Sequence, residues 1–157
     1  MKAVLAVSLL ILSDSCFSQS KKEVKKNGIK SCSSADIENG KTSNNKKTVF
    51  DKNGDIIEDT DFTKEGALKV IHKYKYNKDG DEIEDLEYDN HNTLVEKKVS
   101  IYNSLGEKSE EQFYDPSGTL TRKNIFTYDK KGLKTERKTV DAAGKLISTR
   151  KFVYEFK

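Results

Sequence analysis

The nine glycines of this 157-residue chain are spaced with a regularity that restricts how the chain can fold. Successive glycines lie 12, 14, 12, 14, 26, 12, 14 and 12 residues apart, and Asn92 stands where the 26-residue gap lacks a member. An aromatic residue precedes most of these positions by four residues. The spacing predicts five copies of a 26-residue unit, each made of a short and a long half, with a degenerate first copy.

Two sets of residues recur in this pattern. The predicted turn positions are Gly28, Gly40, Gly54, Gly66, Gly80, Asn92, Gly106, Gly118, Gly132 and Gly144. The predicted aromatic anchors are Phe50, Phe62, Tyr76, Tyr88, Tyr102, Tyr114, Tyr128 and Tyr154. Val24, Asp36 and Val140 occupy anchor positions without being aromatic, and the first two belong to the degenerate unit.

Each half-unit combines a turn with a strand. Polar turn formers separate the anchor from the glycine, as in Asp115-Pro116-Ser117-Gly118. Glycine reaches positive φ without a Cβ penalty, and asparagine is among the residues that tolerate it best. The eight to ten residues between turns are rich in Thr, Val, Ile, Tyr and Phe, which is typical of strands. No helical stripe of apolar residues persists beyond about two turns.

The predicted fold is therefore all-β, an antiparallel meander of about ten strands joined by short hairpin turns, spanning residues 24–157. From Gln19 onward, 41 of 139 residues are apolar, which is about 29%. That content allows either a single curved sheet with one covered face or a shallow two-layer core. Apolar residues occur on both sets of alternating positions along the predicted strands, so a β-bulge could switch the apolar residues from one face to the other.

The first 18 residues predict a cleavable export signal. Lys2 is followed by an apolar run from Ala3 to Leu12, too short to span a bilayer, and then by small polar residues. The expected cut follows Ser18, which leaves residues 19–23 as a short polar segment. An earlier cut that makes Cys16 a lipidated N-terminal residue is the alternative. The expected location is secreted, periplasmic or on the outer surface, with no transmembrane segment in the mature chain.

Tyr114-Asp115-Pro116-Ser117-Gly118 and Tyr128-Asp129-Lys130-Lys131-Gly132 resemble the YD repeat of Rhs-type bacterial proteins. Degenerate copies begin at Phe50, Tyr76 and Tyr102. The resemblance implies β-hairpin sheets and is often associated with carbohydrate binding, and a similar hairpin pattern occurs in YwqK-like antitoxins of the MORN class. The motif is structural, so it implies no catalytic residue, and the chain has too few units for a closed shell.

Candidate chemistry is sparse. Asp51-Lys52-Asn53-Gly54-Asp55 is similar to a calcium loop, but its glycine is at position 4 instead of 6, so solvated turns are the favoured interpretation and weak calcium binding the alternative. His72 and His91 have no ligand of metal-site spacing nearby in sequence. The sequence also contains no nucleophile elbow. We expect no catalytic residue, no metal, no cofactor and no enzymatic activity.

Charge is segregated along the chain, with net +5 over residues 19–47, −8 over 48–96 and +6 over 97–157. These zones indicate either cross-strand ion pairing or a surface that attracts charged partners. Export and the acidic middle argue against nucleic acid as a partner. The first functional hypothesis is a non-enzymatic binding or structural module at the bacterial envelope, for a glycan or a protein. An immunity or antitoxin-like protein is the alternative.

Overall fold

The computed structural model describes residues 20–156. One short helix, α1 (Lys21–Asn27), precedes ten strands. The strands are β1 (Ser31–Glu38), β2 (Lys41–Phe50), β3 (Ile56–Phe62), β4 (Leu68–Tyr76), β5 (Glu82–Tyr88), β6 (Leu94–Tyr102), β7 (Lys108–Tyr114), β8 (Leu120–Tyr128), β9 (Lys134–Asp141) and β10 (Leu146–Lys151).

All ten strands form one sheet in which each strand pairs antiparallel with its neighbour in the chain. The predicted all-β meander of hairpins is confirmed. Of the two predicted architectures the structure has the single sheet, since no second sheet covers either face within residues 20–156. In this range no helix is long and apolar enough to cross a bilayer.

The turns that follow an anchor share one geometry. In the turn at 115–119 the Gly118 N–H donates to the Asp115 carbonyl, and the Asp115 N–H donates to the Thr119 carbonyl. Gly118 has φ 83°, and both residues between Asp115 and Gly118 have negative φ. This is a type I turn closed by a glycine bulge, with Pro116 at its favoured second position.

Eight turns of this kind lie alternately at the two ends of the strands. We call these two strand ends edge 1 and edge 2, as distinct from the outer strands β1 and β10. Edge 1 carries the turns 51–55, 77–81, 103–107 and 129–133, and edge 2 carries the turns 63–67, 89–93, 115–119 and 141–145.

The first hairpin turns differently. Asn39 and Gly40 join β1 to β2 with φ 50° and 78°, the two-residue pattern of a type I′ turn. The degenerate first unit therefore still forms a hairpin, although it lacks an aromatic anchor at Asp36.

The start of the repeat was predicted at residue 24, and the structure differs there. Val24 lies in α1 and is buried, 2% exposed, instead of ending a strand. Ser20 and Glu23 form a reciprocal capping box at the start of the helix, and Gly28 ends it with φ 60°. Local capping and burial of Val24 outweigh the repeat pattern at this point.

The last strand does not reach the predicted anchor Tyr154. It ends at Lys151, although the Phe152 N–H still donates to the Thr135 carbonyl of β9.

Every anchor hairpin contains a register shift next to its anchor residue. The shift falls between Ile101 and Tyr102 in one hairpin and between Phe113 and Tyr114 in the next. The anchors thus mark the β-bulges that the sequence could not locate.

The sheet has two chemically distinct faces, which we call face A and face B. Side chains alternate along a strand and paired residues share a face, so register assigns each residue to one of them. Face A carries the buried residues Thr48, Asp59, Ser100, Phe113 and Asn124. Face B carries a more exposed mixture of aliphatic and charged side chains, including Val49, Ile71, Leu86, Val99 and Ile125.

Apolar burial is slight. Val24 and Phe113 are the buried apolar residues among those described, while four buried residues of face A are polar or charged. Cohesion of the sheet therefore depends on main-chain ladders and on polar cross-strand contacts more than on a hydrophobic core.

Candidate functional site

Face A carries a chain of polar contacts that begins in the N-terminal strands. Thr48 Oγ1 of β2 donates to Asp59 Oδ1 of β3 at 2.6 Å, and Lys46 Nζ lies 3.0 Å from Asp59 Oδ2. Thr48 and Asp59 are buried, so their mutual hydrogen bond offsets part of the desolvation cost that each would otherwise carry.

A second cluster spans β4, β5 and β6. His72 Nδ1 lies 2.9 Å from Asp85 Oδ1, and the His72 ring stacks on Tyr74 at 6.0 Å. Lys98 Nζ contacts Asp85 and Glu82, each at 3.0 Å. Burial alone would lower the pKa of Lys98, but the two carboxylates outweigh that effect and raise it, so Lys98 stays charged. Burial raises the pKa of Tyr74, and the Asp85 carboxylate adds to this.

Arg122 crosses a neighbouring strand. Its guanidinium lies 3.8 Å from the centre of the Phe113 ring in β7 and reaches Glu96 in β6 with two hydrogen bonds of 2.6 and 3.1 Å. A planar fork over an aromatic face is a geometry that lysine cannot reproduce.

The series of polar contacts on face A continues from β7 to β9. The Asn124 side-chain amide donates to Glu111 at 3.0 Å, Thr139 donates to Asn124 at 2.8 Å, and Lys108 contacts Glu111 at 3.1 Å. Burial would raise the pKa of Glu111, but the bonds from Asn124 and Lys108 lower it overall, so this carboxylate is held charged.

On face A the ion pairs do not extend to β9 and β10. Arg137 of β9 lies directly opposite Arg150 of β10 on face A, with Phe126 of β8 on its other side. Lys134 Nζ lies 4.2 Å from the Phe126 ring centre and 6.0 Å from that of Phe152. We call these five residues the cationic patch.

The patch has no internal counter-charge. Within residues 20–156 neither Arg137 nor Arg150 makes an ion pair, and Arg137 Nε is buried without a hydrogen-bond acceptor. Like charges directly opposite on a sheet destabilise it, so an anion bound between Arg137 and Arg150 would relieve their repulsion.

The predicted anchors divide into two groups by edge. At edge 1 they lie on face A, and each tyrosine hydroxyl donates to the carbonyl oxygen of the residue twenty positions earlier. These bonds run from Tyr76 to Ile56 at 2.8 Å, Tyr102 to Glu82 at 3.0 Å, Tyr128 to Lys108 at 2.8 Å and Tyr154 to Lys134 at 2.8 Å. Phe50 occupies the corresponding place in β2 without a hydroxyl. Burial, with the Glu82 carboxylate nearby, raises the pKa of Tyr76 to about 12.

At edge 2 the anchors Phe62, Tyr88 and Tyr114 lie on face B. Lys73 Nζ lies 5.1 Å from the Tyr88 ring centre, and the Tyr114 hydroxyl donates to the side chain of Gln112 on its own strand. None of these three makes the carbonyl bond found at edge 1. The two groups of anchors thus fasten the sheet in different ways.

All ten predicted turn positions have positive φ, from 60° at Gly28 and Asn92 to 88° at Gly80. Gly28 ends α1, so it is a helix cap instead of a hairpin turn. Seven of the eight anchor turns are also closed by an Asp or Asn whose Oδ1 accepts two main-chain N–H groups, two and four residues later. These residues are Asp51, Asn77, Asp89, Asn103, Asp115, Asp129 and Asp141.

A calcium ion at these turns would compete with the existing hydrogen bonds for the carboxylate oxygens. Asp51 Oδ1 already accepts from Asn53 and Asp55, and the Asp55 carboxylate contacts Lys21 at 2.6 Å. Among residues 20–156, no group of three or more His, Cys, Asp or Glu could hold a metal ion. His72 is bound in the cluster described above, and His91 lies in the turn 89–93, 3.9 Å from Asp89.

The lipidation candidate Cys16 and the predicted signal peptide lie outside the described residues. Cys32 lies in β1, half-buried and opposite Thr48.

No protein-family model matches the sequence, and no curated protein matches it. Among solved structures, the chain is similar to a protein of unknown function from Bacteroides fragilis NCTC 9343, with TM-score 0.42 and 16% identity over 81% of this chain and 95% of that one. It is also similar to TarM, with TM-score 0.31 and 21% identity over 83% of this chain but only 22% of TarM.

The cationic patch was not predicted from the sequence. Arg137 and Arg150 are thirteen residues apart, and only the register of the β9–β10 hairpin, with its shift near Leu146, brings them opposite each other. Counting outward from the turn at 141–145 could have suggested the pair, but the bulge makes the count ambiguous by one residue.

Proposed function

We propose that this chain is an exported, non-enzymatic binding module of the bacterial envelope, similar in repeat chemistry to YD-type proteins, and that it binds an anionic glycan through the cationic patch. The observation that carries the proposal is the pair Arg137 and Arg150, which face each other without a carboxylate in a sheet whose other face A charges are mostly paired.

The chemistry of the patch fits a carboxylated, sulfated or phosphorylated sugar polymer. Guanidinium groups bind such anions with two parallel hydrogen bonds. The rings of Phe126 and Phe152, both half-buried, offer apolar surface beside the cations. An open sheet also suits a long polymer, which needs a track and not a closed pocket.

The location is part of the proposal. A signal peptide cut after Ser18 would place the module in the periplasm or outside the cell, and a lipid on Cys16 would tether it to a membrane. The intact mass of the mature protein from the native envelope distinguishes the two, because a diacylglyceryl-modified Cys16 and an N-terminal Gln19 differ in mass by far more than the measurement error.

Titration of the protein with a uronic-acid polysaccharide and with neutral dextran tests the glycan hypothesis. We expect binding of the acidic polymer that weakens as salt rises, and a loss of at least tenfold in affinity when Arg137→Gln and Arg150→Gln are combined. The matched control combines Lys130→Gln and Lys145→Gln. It removes the same amount of charge from exposed residues of the two turns that flank β9.

An equal loss in both double variants would mean that net charge and not the patch controls binding. No binding of any acidic polymer at low salt would exclude the glycan hypothesis itself.

One feature favours the alternative of an immunity-like protein, namely the exposed edge strand β10, to which a partner protein could add a strand. Co-expression with the product of a neighbouring toxic gene tests it. Rescue of growth, lost on deletion of residues 146–156, is the result this alternative requires.

A further inference from the structure

The two outermost strands of the sheet are exposed and opposite in charge. All six residues of β10 (Leu146–Lys151) are exposed, and this strand contains Arg150 and Lys151 but no acid. Six of the eight residues of β1 (Ser31–Glu38) are exposed, and it contains Asp36 and Glu38 but no base. Each strand pairs on one side only, so each presents free main-chain N–H and C=O groups on the other.

Strand direction allows β1 of a second copy to continue the sheet beyond β10. The sheet is an uninterrupted antiparallel meander of ten strands, an even number, so β1 and β10 of one chain run in opposite directions. A β1 strand placed beside β10 with the sheet unrotated is therefore antiparallel to it, as at every other junction.

The 26-residue repeat and the faces of β1 and β10 together supply a register. Lys97 pairs with Tyr114, and moving both by two units gives Thr149 and position 166. Five units are 130 residues, so position 166 corresponds to Asp36 of the next copy, but β1 is one residue out of step with the repeat. Cys32 pairs with Thr48 of face A, so by alternation Asp36 also lies on face A, whereas Thr149, opposite Lys138, lies on face B. A shift of β1 by one residue matches the faces, and the shift that places Asp36 opposite Arg150 on face A brings opposite charges together.

The side chains brought together in this register are complementary. Asp36 then faces Arg150 on face A, within the range of a cross-strand ion pair, and Glu38 lies diagonal to Arg150 on the same face. Ile37, 74% exposed, faces Thr149 on face B and lies diagonal to Ile147, 59% exposed. The junction would thus cover apolar groups that are exposed in the single chain.

We propose that a second copy of this chain occupies the β10 edge, with its β1 strand added head to tail. The contact joins two different surfaces and leaves one edge open at each end, so it generates open chains of copies instead of closed dimers.

Exchange of charges tests the proposal while leaving the main-chain hydrogen-bonding groups of both strands in place. One variant combines Arg150→Glu with Lys151→Glu, and a second combines Asp36→Lys with Glu38→Lys. In each variant β1 and β10 carry charges of the same sign. Analytical ultracentrifugation should therefore show each variant as a monomer, at least tenfold weaker in self-association than the wild type. Their equimolar mixture has complementary junctions again and should form species larger than a dimer.

A proline variant provides an independent measurement. The Phe152 N–H points to β9, so by alternation the Thr149 N–H points away from it. Thr149→Pro removes that outward donor without removing a bond to β9, and it should abolish association while circular dichroism retains the strand spectrum.

A wild type that stays monomeric at millimolar concentration and low salt would overturn the proposal, and so would a mixture that fails to associate. Association that survives both charge reversal and Thr149→Pro would place the contact elsewhere. The readout is mass without any polysaccharide, so its failure leaves the proposed glycan binding untouched.

Discussion

The turns at edges 1 and 2 have nearly the same geometry, yet the aromatic residues that precede them make different contacts at the two edges. At edge 1 the tyrosine before the turn reaches across to a main-chain carbonyl of the adjacent strand, and α1 lies against the turn at 51–55 through Lys21. At edge 2 the anchors lie on face B and make no such bond. Identical turn motifs therefore do not make identical joints, because the face on which the preceding ring lies decides what it can reach.

The largest expected effect comes from deletions that exchange the two edges. Removing residues 103–128 and removing residues 103–114 both create a Tyr-Asp junction after Tyr102. The first deletion takes out a whole unit, so later strands keep their edge and face, and we expect a shortened sheet that still melts cooperatively.

The second deletion takes out one strand and moves Arg122 and Asn124 to the opposite face. The partly exposed Arg122 would lose Glu96 and the buried Asn124 would lose Glu111 and Thr139, which together costs roughly 3 kcal/mol or more. Thermal unfolding followed by circular dichroism separates the two cases, and comparable stability of both deletions would show that the edges are interchangeable.

A smaller effect follows from two glycine variants with the same backbone strain. A Cβ at Gly54 would lie 2.6 Å from the main-chain oxygen of Lys21, whereas a Cβ at Gly118 meets nothing within 4 Å. Gly118→Ala should lower the free energy of unfolding by about 1–2 kcal/mol, from positive φ alone. Gly54→Ala adds overpacking, for a total of about 2–5 kcal/mol.

Urea unfolding of both variants measures the difference. Equal losses would mean that α1 is not docked at edge 1.

Removal of a single hydroxyl probes the tyrosine bonds directly. Tyr102→Phe deletes the bond to the Glu82 carbonyl and should cost about 0.5–1.5 kcal/mol. Tyr88→Phe at edge 2 removes a hydroxyl that makes no such bond, so its effect should stay within about 0.5 kcal/mol. A Tyr88→Phe loss as large as that of Tyr102→Phe would contradict the distinction between edges.

The smallest effect is a difference in acid sensitivity. The Ser117 hydroxyl and the Thr119 N–H hold the pKa of Asp115 below its ordinary value of 3.8. A lowered folded-state pKa stabilises the turn above the unfolded value, and the contribution is lost as pH falls through the folded value.

Asp115→Asn should therefore flatten the decline of the melting temperature between about pH 5 and pH 3, since an Asn oxygen accepts the same bonds at any pH. Asn103→Asp at edge 1 should steepen it. Unchanged profiles in both variants would show that these turn carboxylates do not control acid stability.

Much of this architecture could be predicted from the glycine spacing, because positive φ at a fixed interval restricts where the chain can reverse. The helix is also encoded locally, since Ser20, Glu23 and Gly28 form a capping pattern, but the repeat spacing places Val24 at an anchor position and so predicts a strand there. The bulges could not be located, because they depend on which residues pair across strands. For the same reason the cationic patch and the polar chain of face A were invisible in the sequence.

The scarcity of buried apolar side chains has a thermal consequence. Exposure of apolar surface is what gives unfolding its large positive heat capacity, whereas exposure of polar surface lowers it. A sheet that buries mainly Thr, Asp, Ser and Asn on one face should therefore show an unusually small heat-capacity increment in calorimetry. Its stability curve would then be shallow, and the protein would lose little stability on cooling.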